Sequence, residues 1–215
     1  MKYEMVIFDL DGTLWETEKI THKTANAVLK RYDSNKEVTL EVIKNAMGTN
    51  FEKTAEMYMP YYDKEKREKI LGEMIFLNSK ILSEFGGNVY ENLKETLDNL
   101  IKKYKLAIVS NCGSGYIEAF LNSSKLEDYF IDFMAASKHK ITKAQAIRQV
   151  MEKNNIYSAI YVGDTINDYK ATINAEVDFI QAKYGFGEDI YIEYSIKDII
   201  ELPELLEKIE DKRTL

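Results

Sequence analysis

This chain is short of the residues that cross-link or anchor a fold. It has one cysteine, Cys112, among 215 residues, so no internal disulfide can form and a cysteine-rich metal site is not expected. Its two histidines, His22 and His139, lie in no carboxylate–His pattern and do not make a zinc site. No apolar run approaches the roughly 20 residues that a membrane-spanning helix needs. No basic segment leading into an apolar stretch precedes the strand-like sequence that starts at Tyr3, so no secretory leader is expected. Together these features suit a reducing cytoplasm, which is the expected compartment. Basic charge is also in deficit. There are 29 Lys and Arg against 36 Asp and Glu, a net charge of -7, which argues against nucleic acid or an anionic membrane as partner. Any anionic substrate would need local help from a divalent cation or a placed lysine.

The residues that are present suffice for a substantial core: 45% are apolar, and the length suits one domain or a core with a smaller inserted one. Buried-strand candidates occur at Tyr3–Phe8, Leu106–Val109, Ile131–Ala136, Ala159–Val162 and Val177–Gln181, and Met5 to Phe8 are apolar without alternation, the pattern of a strand buried on both faces. Between them Leu93, Leu97, Leu100, Ile101 and Tyr104 recur at helical spacing, as do Ala144, Ile147, Val150 and Met151. A final amphipathic helix is predicted from Glu204 to Lys212, opened by Pro203. Strands alternating with helices predict an α/β fold with a parallel sheet. The stretch from Glu16 to Phe85 breaks the alternation. It carries helical stripes at Ile20, Thr24, Ala27 and Val28, at Leu40, Ile43 and Met47, and at Ile70, Met74, Leu77 and Ile81, with Pro60 separating two helices. Gly86 and Gly87 form a flexible junction before the sheet pattern resumes.

Four clusters of polar residues follow the predicted strands. In YEMVIFDLDGTL an apolar strand ends in Asp9 and Asp11, which point the same way from an extended backbone and favour a bound cation or one retained proton. Ser110, Asn111, Cys112, Gly113 and Gly115 follow the second strand and suit either a phosphate cradle or a turn capping the next helix. Cys112 fits a small apolar packing role. ITKAQAIRQV opens a helix that Thr142 can cap, placing Lys143 in its first turn, while Lys138, Lys140 and His139 read as exposed. In AIYVGDTINDYKA a strand runs into Gly163 and Asp164, with Asp168 one helical turn on and on the same side. Alone this could be an Asp-capped helix; with Asp9 and Asp11 it supplies oxygen ligands for a hard cation. All four clusters fall at carboxyl ends of parallel strands, where open α/β sheets place their binding crevice.

These motifs resemble those of the haloacid dehalogenase superfamily. Asp9, Asp11 and Thr13 fill its first motif, Asp-x-Asp-x-Thr. Ser110, followed by Asn111, is similar to the second, Lys143 to the third, and Gly163, Asp164 and Asp168 fill the fourth, Gly-Asp-x-x-x-Asp. Departures are Ala144, where many relatives carry Pro, and Ala175–Glu176 in place of Ala-Gly. The resemblance implies a Rossmann-like parallel-sheet core at 1–15 and 86–215 with an all-helical cap domain at 16–85. It further implies a Mg²⁺-dependent phosphatase of the phosphoglycolate phosphatase type, acting on a small soluble phosphomonoester. Asp9 would be the nucleophile that forms an aspartyl-phosphate, and Asp11 the acid and then base. Ser110, Asn111 and Lys143 would bind phosphate. Asp9, Asp164 and Asp168, with Asp11 through its main-chain carbonyl, would bind the metal. A sugar phosphomutase like β-phosphoglucomutase shares the motifs, although Thr13 stands where many mutases carry Val. A phospho-accepting signalling receiver has neither the helical insertion nor the late Gly-Asp-x-x-x-Asp. Phosphoglycolate, sugar phosphates, nucleotides and pyrophosphate all remain open as substrates. Lys19, His22, Lys23 and the tyrosines around Pro60 are either leaving-group contacts or ordinary surface and cap packing. Oligomeric state is not legible.

Overall fold

The computed structural model describes residues 2–211. Its centre is β1 (Met5–Phe8), whose four side chains are all fully buried. A strand this apolar can be placed only where both faces are covered. The chain continues through the short β2 (Trp15–Glu16) and four helices, α1 (Glu18–Tyr32), α2 (Leu40–Ala46), α3 (Phe51–Tyr58) and α4 (Lys64–Phe85). It returns through β3 (Asn88–Val89), which pairs antiparallel with β2. Then follow α5 (Leu93–Leu100), β4 (Lys105–Ser110), α6 (Tyr116–Ser124), β5 (Asp132–Ala135), α7 (Ala136–His139), α8 (Lys143–Lys153), β6 (Ala159–Gly163), α9 (Ile166–Ala175), β7 (Asp178–Ala182), β8 (Ser195–Ile196) and α10 (Leu202–Asp211).

Six strands form one parallel sheet in the order β5-β4-β1-β6-β7-β8. Side chains alternate between two helical layers. Val6, Phe8, Leu106, Ile108, Ile160 and Val162 join a core with Leu97, Phe120 and Leu206 of α5, α6 and α10. Met5, Ile7, Ala107, Val109 and Tyr161 join a second core with Ile147 and Val150 of α8 and Ala171 of α9. Each large apolar side chain so buried contributes about 1.5–3 kcal/mol, which makes the register of β1 costly to change. The α/β fold class is therefore as predicted, with a Rossmann-like sheet between two helical layers.

The four helices α1 to α4 bury a cluster of their own, including Val28, Leu29, Ile43, Tyr58, Met59, Ile70 and Met74. The turn carrying Pro60 separates α3 from α4, and Asp63 caps α4 through the Lys66 amide, 2.9 Å away. Leu82 of α4 and Trp15 belong instead to the sheet's first core, so this end of the helical segment is tied to the sheet.

Details of the pattern differ. Ala27 is exposed; α1 buries Thr24, Ala25, Val28 and Leu29, and alanine carries too little apolar area to mark a face. Ile101 is 47% exposed because α5 ends at Leu100 and the chain turns before Tyr104. The two-residue β8 is too short to leave a periodic signal. The last helix is described to Asp211; Lys212 lies outside the described residues.

Candidate active site

The site forms where the crossovers leaving the sheet change direction. β1 lies between β4 and β6, and Phe8 is in register with Ile108 on one side and Val162 on the other. Ser110, Asp9 and Asp164 therefore leave three adjacent strand ends at the same level, the position at which open α/β sheets bind ligands. The Asp9 amide donates to the Val162 carbonyl, 2.8 Å away, which pins the nearly buried Asp9 against β6.

Lys143 comes from the other side. Thr142 and Gln145 form a capping box at the start of α8, so Lys143 is its first helical residue. Its ammonium lies 2.9 Å from Asp9 Oδ1 and also pairs with Asp168 Oδ1, and all three side chains are at most 3% exposed. Burial alone would lower the Lys143 pKa, but Asp168 and Asp9 outweigh it and hold the ammonium above the ordinary lysine value. Asp168 has a second task. Its Oδ2 accepts from the Thr165 amide at 2.9 Å and from the Thr165 hydroxyl at 2.7 Å, completing a capping box on α9. Asp168 thus caps its own helix with one oxygen and pairs with Lys143 through the other.

Asp9, Asp164 and Asp168 each offer a carboxylate oxygen within 4.8 Å of the others. Burial raises the Asp9 pKa against the pull of Lys143, and burial followed by Asp168 and Asp9 raises that of Asp164 well above the ordinary carboxyl value. One lysine does not balance three buried carboxylates. Asp164 Oδ2 accepts from the amides of Phe186 at 2.7 Å and Gly187 at 3.3 Å, whereas the buried Asp164 Oδ1 has no hydrogen-bond partner among the described residues. An unpaired buried carboxylate oxygen is costly unless a cation claims it. The excess of negative charge and the all-oxygen donor set thus fit a hard divalent cation. The approach of the backbone is equally close: Gly12 has φ +77° and a Cβ there would stand 2.3 Å from Asp164 Oδ2.

Asp11 stands apart from the three clustered carboxylates. Its Oδ1 accepts from Thr17 Oγ1 at 2.9 Å and from the Tyr116 hydroxyl at 2.8 Å. The surrounding protein pushes its pKa up to about 7; those two hydrogen bonds restrain the rise and Asp9 adds to it. Asp9 and Asp11 both open onto a cavity that extends from the strand ends into the helical segment, with Ser110, Asn111, Cys112 and Tyr116 on its floor. Asn111 is turned toward the helices: its Nδ2 donates to the Gly48 carbonyl, 3.0 Å away. Thr13 is fully buried and its hydroxyl has no partner among the described residues. Cys112 packs on the sheet's core, and burial holds its thiol protonated. Of the helical-segment candidates, Tyr58 lines the cavity; Lys19 and Lys23 are exposed, and neither they nor His22, Tyr61 and Tyr62 line it.

Sequence reasoning missed Tyr116, Thr17 and the turn at 185–187. Tyr116 and Thr17 had no motif to mark them, because they meet Asp11 only through the fold. The turn did carry a signal: Gly185 and Gly187 follow a strand's carboxyl end, and a Cβ on Gly187 would stand 2.0 Å from the Asp164 carbonyl oxygen.

Known proteins resemble the chain in sequence and in fold. The chain is 26% identical over 200 residues to a phosphoglycolate phosphatase from Nitrosospira multiformis, covering 86% of each protein. It is also 26% identical over 220 residues to pyrophosphatase PpaX from Bacillus thuringiensis, covering 98% of this chain and 95% of that one. A haloacid dehalogenase-like family hydrolase from Streptococcus pneumoniae superposes with a TM-score of 0.82 at 18% identity, over 95% of this chain and 99% of that one, a likeness of fold. Among the described residues no helix is long and apolar enough to cross a membrane. The sequence profile of haloacid dehalogenase-like hydrolases matches residues 6–182, from within β1 to the end of β7 and so across Asp9, Asp11, Ser110, Lys143, Asp164 and Asp168, and the chain belongs to that family.

Proposed function

We propose that this hydrolase is a Mg²⁺-dependent phosphatase that cleaves a small soluble phosphomonoester in the cytoplasm through a phosphoryl group carried on Asp9. The observation that supports this most is the gathering of Asp9, Asp164, Asp168 and Lys143, all buried, at one sheet edge beside Asp11. The names of its relatives, phosphoglycolate phosphatase and pyrophosphatase, point the same way.

Asp9 attacks phosphorus as the bond to the leaving oxygen breaks, and Asp11 gives that oxygen its proton. Asp11 then takes a proton from water, which attacks the same phosphorus, releases inorganic phosphate and restores Asp9. The hydrogen bonds from Thr17 and Tyr116 hold Asp11 in place for both transfers. In this reading Lys143 and Ser110 bind the phosphoryl oxygens, with Asn111 joining the cavity floor to the helices. Asp9, Asp164 and Asp168, with the Asp11 carbonyl, would hold the cation, which supplies charge neutralisation at the phosphoryl group. In this reading residues 16–85 form the cap domain that closes the site and excludes water, and residues 1–15 and 86–215 the core.

The test is Asp9→Asn, assayed with an activated aryl phosphate and Mg²⁺. The variant should fold as the parent does and lose turnover; retained turnover refutes Asp9 as nucleophile.

A further inference from the structure

The cavity above Asp9 and Asp11 has a charge pattern that bears on the leaving group. Among its described lining residues the charged ones are Asp9 and Asp11, and none is Lys, Arg or His. The nearest buried cation, Lys143, is already paired with Asp9 and Asp168. His22 lies 3.7 Å from Glu37 and is not among the residues that line the cavity. The upper wall is apolar, built from Ala25, Met47, Phe51, Leu71, Met74 and Ile75. Its polar groups are largely satisfied by one another. Thr24 donates to Asn78 Oδ1 at 2.9 Å, Asn78 donates to Thr21 at 3.1 Å, and Thr49 and Thr54 share a hydrogen bond of 2.8 Å. Tyr58 is the lining aromatic from α3 that carries a hydroxyl. The helices are seated on the core, since Asn111 reaches Gly48 and Ser79 Oγ lies 3.5 Å from the Ser114 carbonyl. The cavity is about 120 Å³, room for a small organic group.

A leaving group with a second anion would find no lysine, arginine or histidine among these described lining residues to pair with it. The carboxylate of phosphoglycolate, the second phosphoryl group of pyrophosphate and the second phosphate of a sugar bisphosphate all fall in this class. Burying such an anion unpaired is penalised, whereas an apolar skeleton gains contact with the wall. Resting on the phosphatase reading, we propose that the preferred substrate is the phosphate ester of an uncharged, largely apolar or aromatic alcohol. Its carbon skeleton lies against Met47, Phe51, Leu71, Met74 and Ile75, and a polar edge, where it has one, faces Tyr58. The same cavity disfavours mutase chemistry, which must hold a bisphosphate.

The experiment compares kcat/KM for benzyl phosphate, 2-phosphoglycolate and pyrophosphate with the purified chain and saturating MgCl₂, by release of inorganic phosphate. Benzyl phosphate should be preferred by tenfold or more over each anionic ester. Equal or better turnover of 2-phosphoglycolate or pyrophosphate overturns the leaving-group assignment and leaves the phosphatase reading standing. No phosphate release from any of the three, by protein shown to be folded, overturns the phosphatase reading and this inference with it.

Discussion

Lys143→Met removes the ammonium set among the buried carboxylates while keeping most of the side-chain volume. In the parent, the Lys143 ammonium is 3% exposed and pairs with Asp9 and Asp168, whose side chains are 2% and 0% exposed. Screening by water is therefore slight, and the loss is that of one partner from a buried ion pair, about 3–5 kcal/mol. For a chain of this size each kcal/mol moves the melting temperature by about 2–4 °C, so a drop of roughly 6–20 °C is expected. The assay is thermal and urea denaturation near neutral pH, first in EDTA and then with increasing MgCl₂. The deficit should be largest in EDTA and shrink as the cation replaces the lost charge. It should also shrink on acidification. Asp9 and Asp164 already have folded-state pKa values above the unfolded one, so their ionised forms weigh against folding as pH rises and protonation relieves them. A loss below about 1 kcal/mol in EDTA would refute the reasoning, because only a solvated lysine is that dispensable.

Asp164→Asn should retain the fold but lose most of the thermal protection that MgCl₂ gives the parent, a protection of about 2.7 kcal/mol at a hundredfold excess over Kd; equal protection in both would remove Asp164 from the metal site. Asp11→Asn should lower turnover by about 10²–10⁴. The same variant checks the carboxyl's titration. Its pKa rises from 3.8 to about 7, so the folded protein keeps a proton that the unfolded chain gives up between those values. The stability of the parent relative to Asp11→Asn should therefore fall as pH rises from about 5 to 8, by more than about 1 kcal/mol; a constant difference in urea titrations would contradict this. Gly187→Ala places a methyl group where the Asp164 carbonyl oxygen stands 2.0 Å away, and should cost both turnover and Mg²⁺ affinity, read by kinetics and by calorimetric titration. Unchanged values for both would show that the turn yields freely.

Much of this architecture was readable before any coordinates. Met5 to Phe8 have no polar residue to expose, and such a segment is stable only between two apolar layers, so the place of β1 inside a parallel sheet followed from composition and order. Asp164 and Asp168 are one turn apart at a strand–helix junction, and local geometry alone sets them on one side. Lys143 was legible through Thr142, which caps α8; that Gln145 completes a capping box with it came from the structure. Boundaries were less legible: Ala27 and Ile101 fit a helical stripe by spacing, yet packing left both exposed.

The sequence by itself determined the sheet and helix alternation, the helical stretch between the first strand and the second, and the acidic pairs at strand ends, because each depends on residues close together in the chain. Only the tertiary structure decided that Tyr116 and Thr17 hold Asp11, that the amides of Phe186 and Gly187 hold Asp164, and that among the described residues no basic side chain lines the cavity. These contacts join residues from 6 to 105 positions apart, and no local periodicity encodes which surfaces meet once the core has closed.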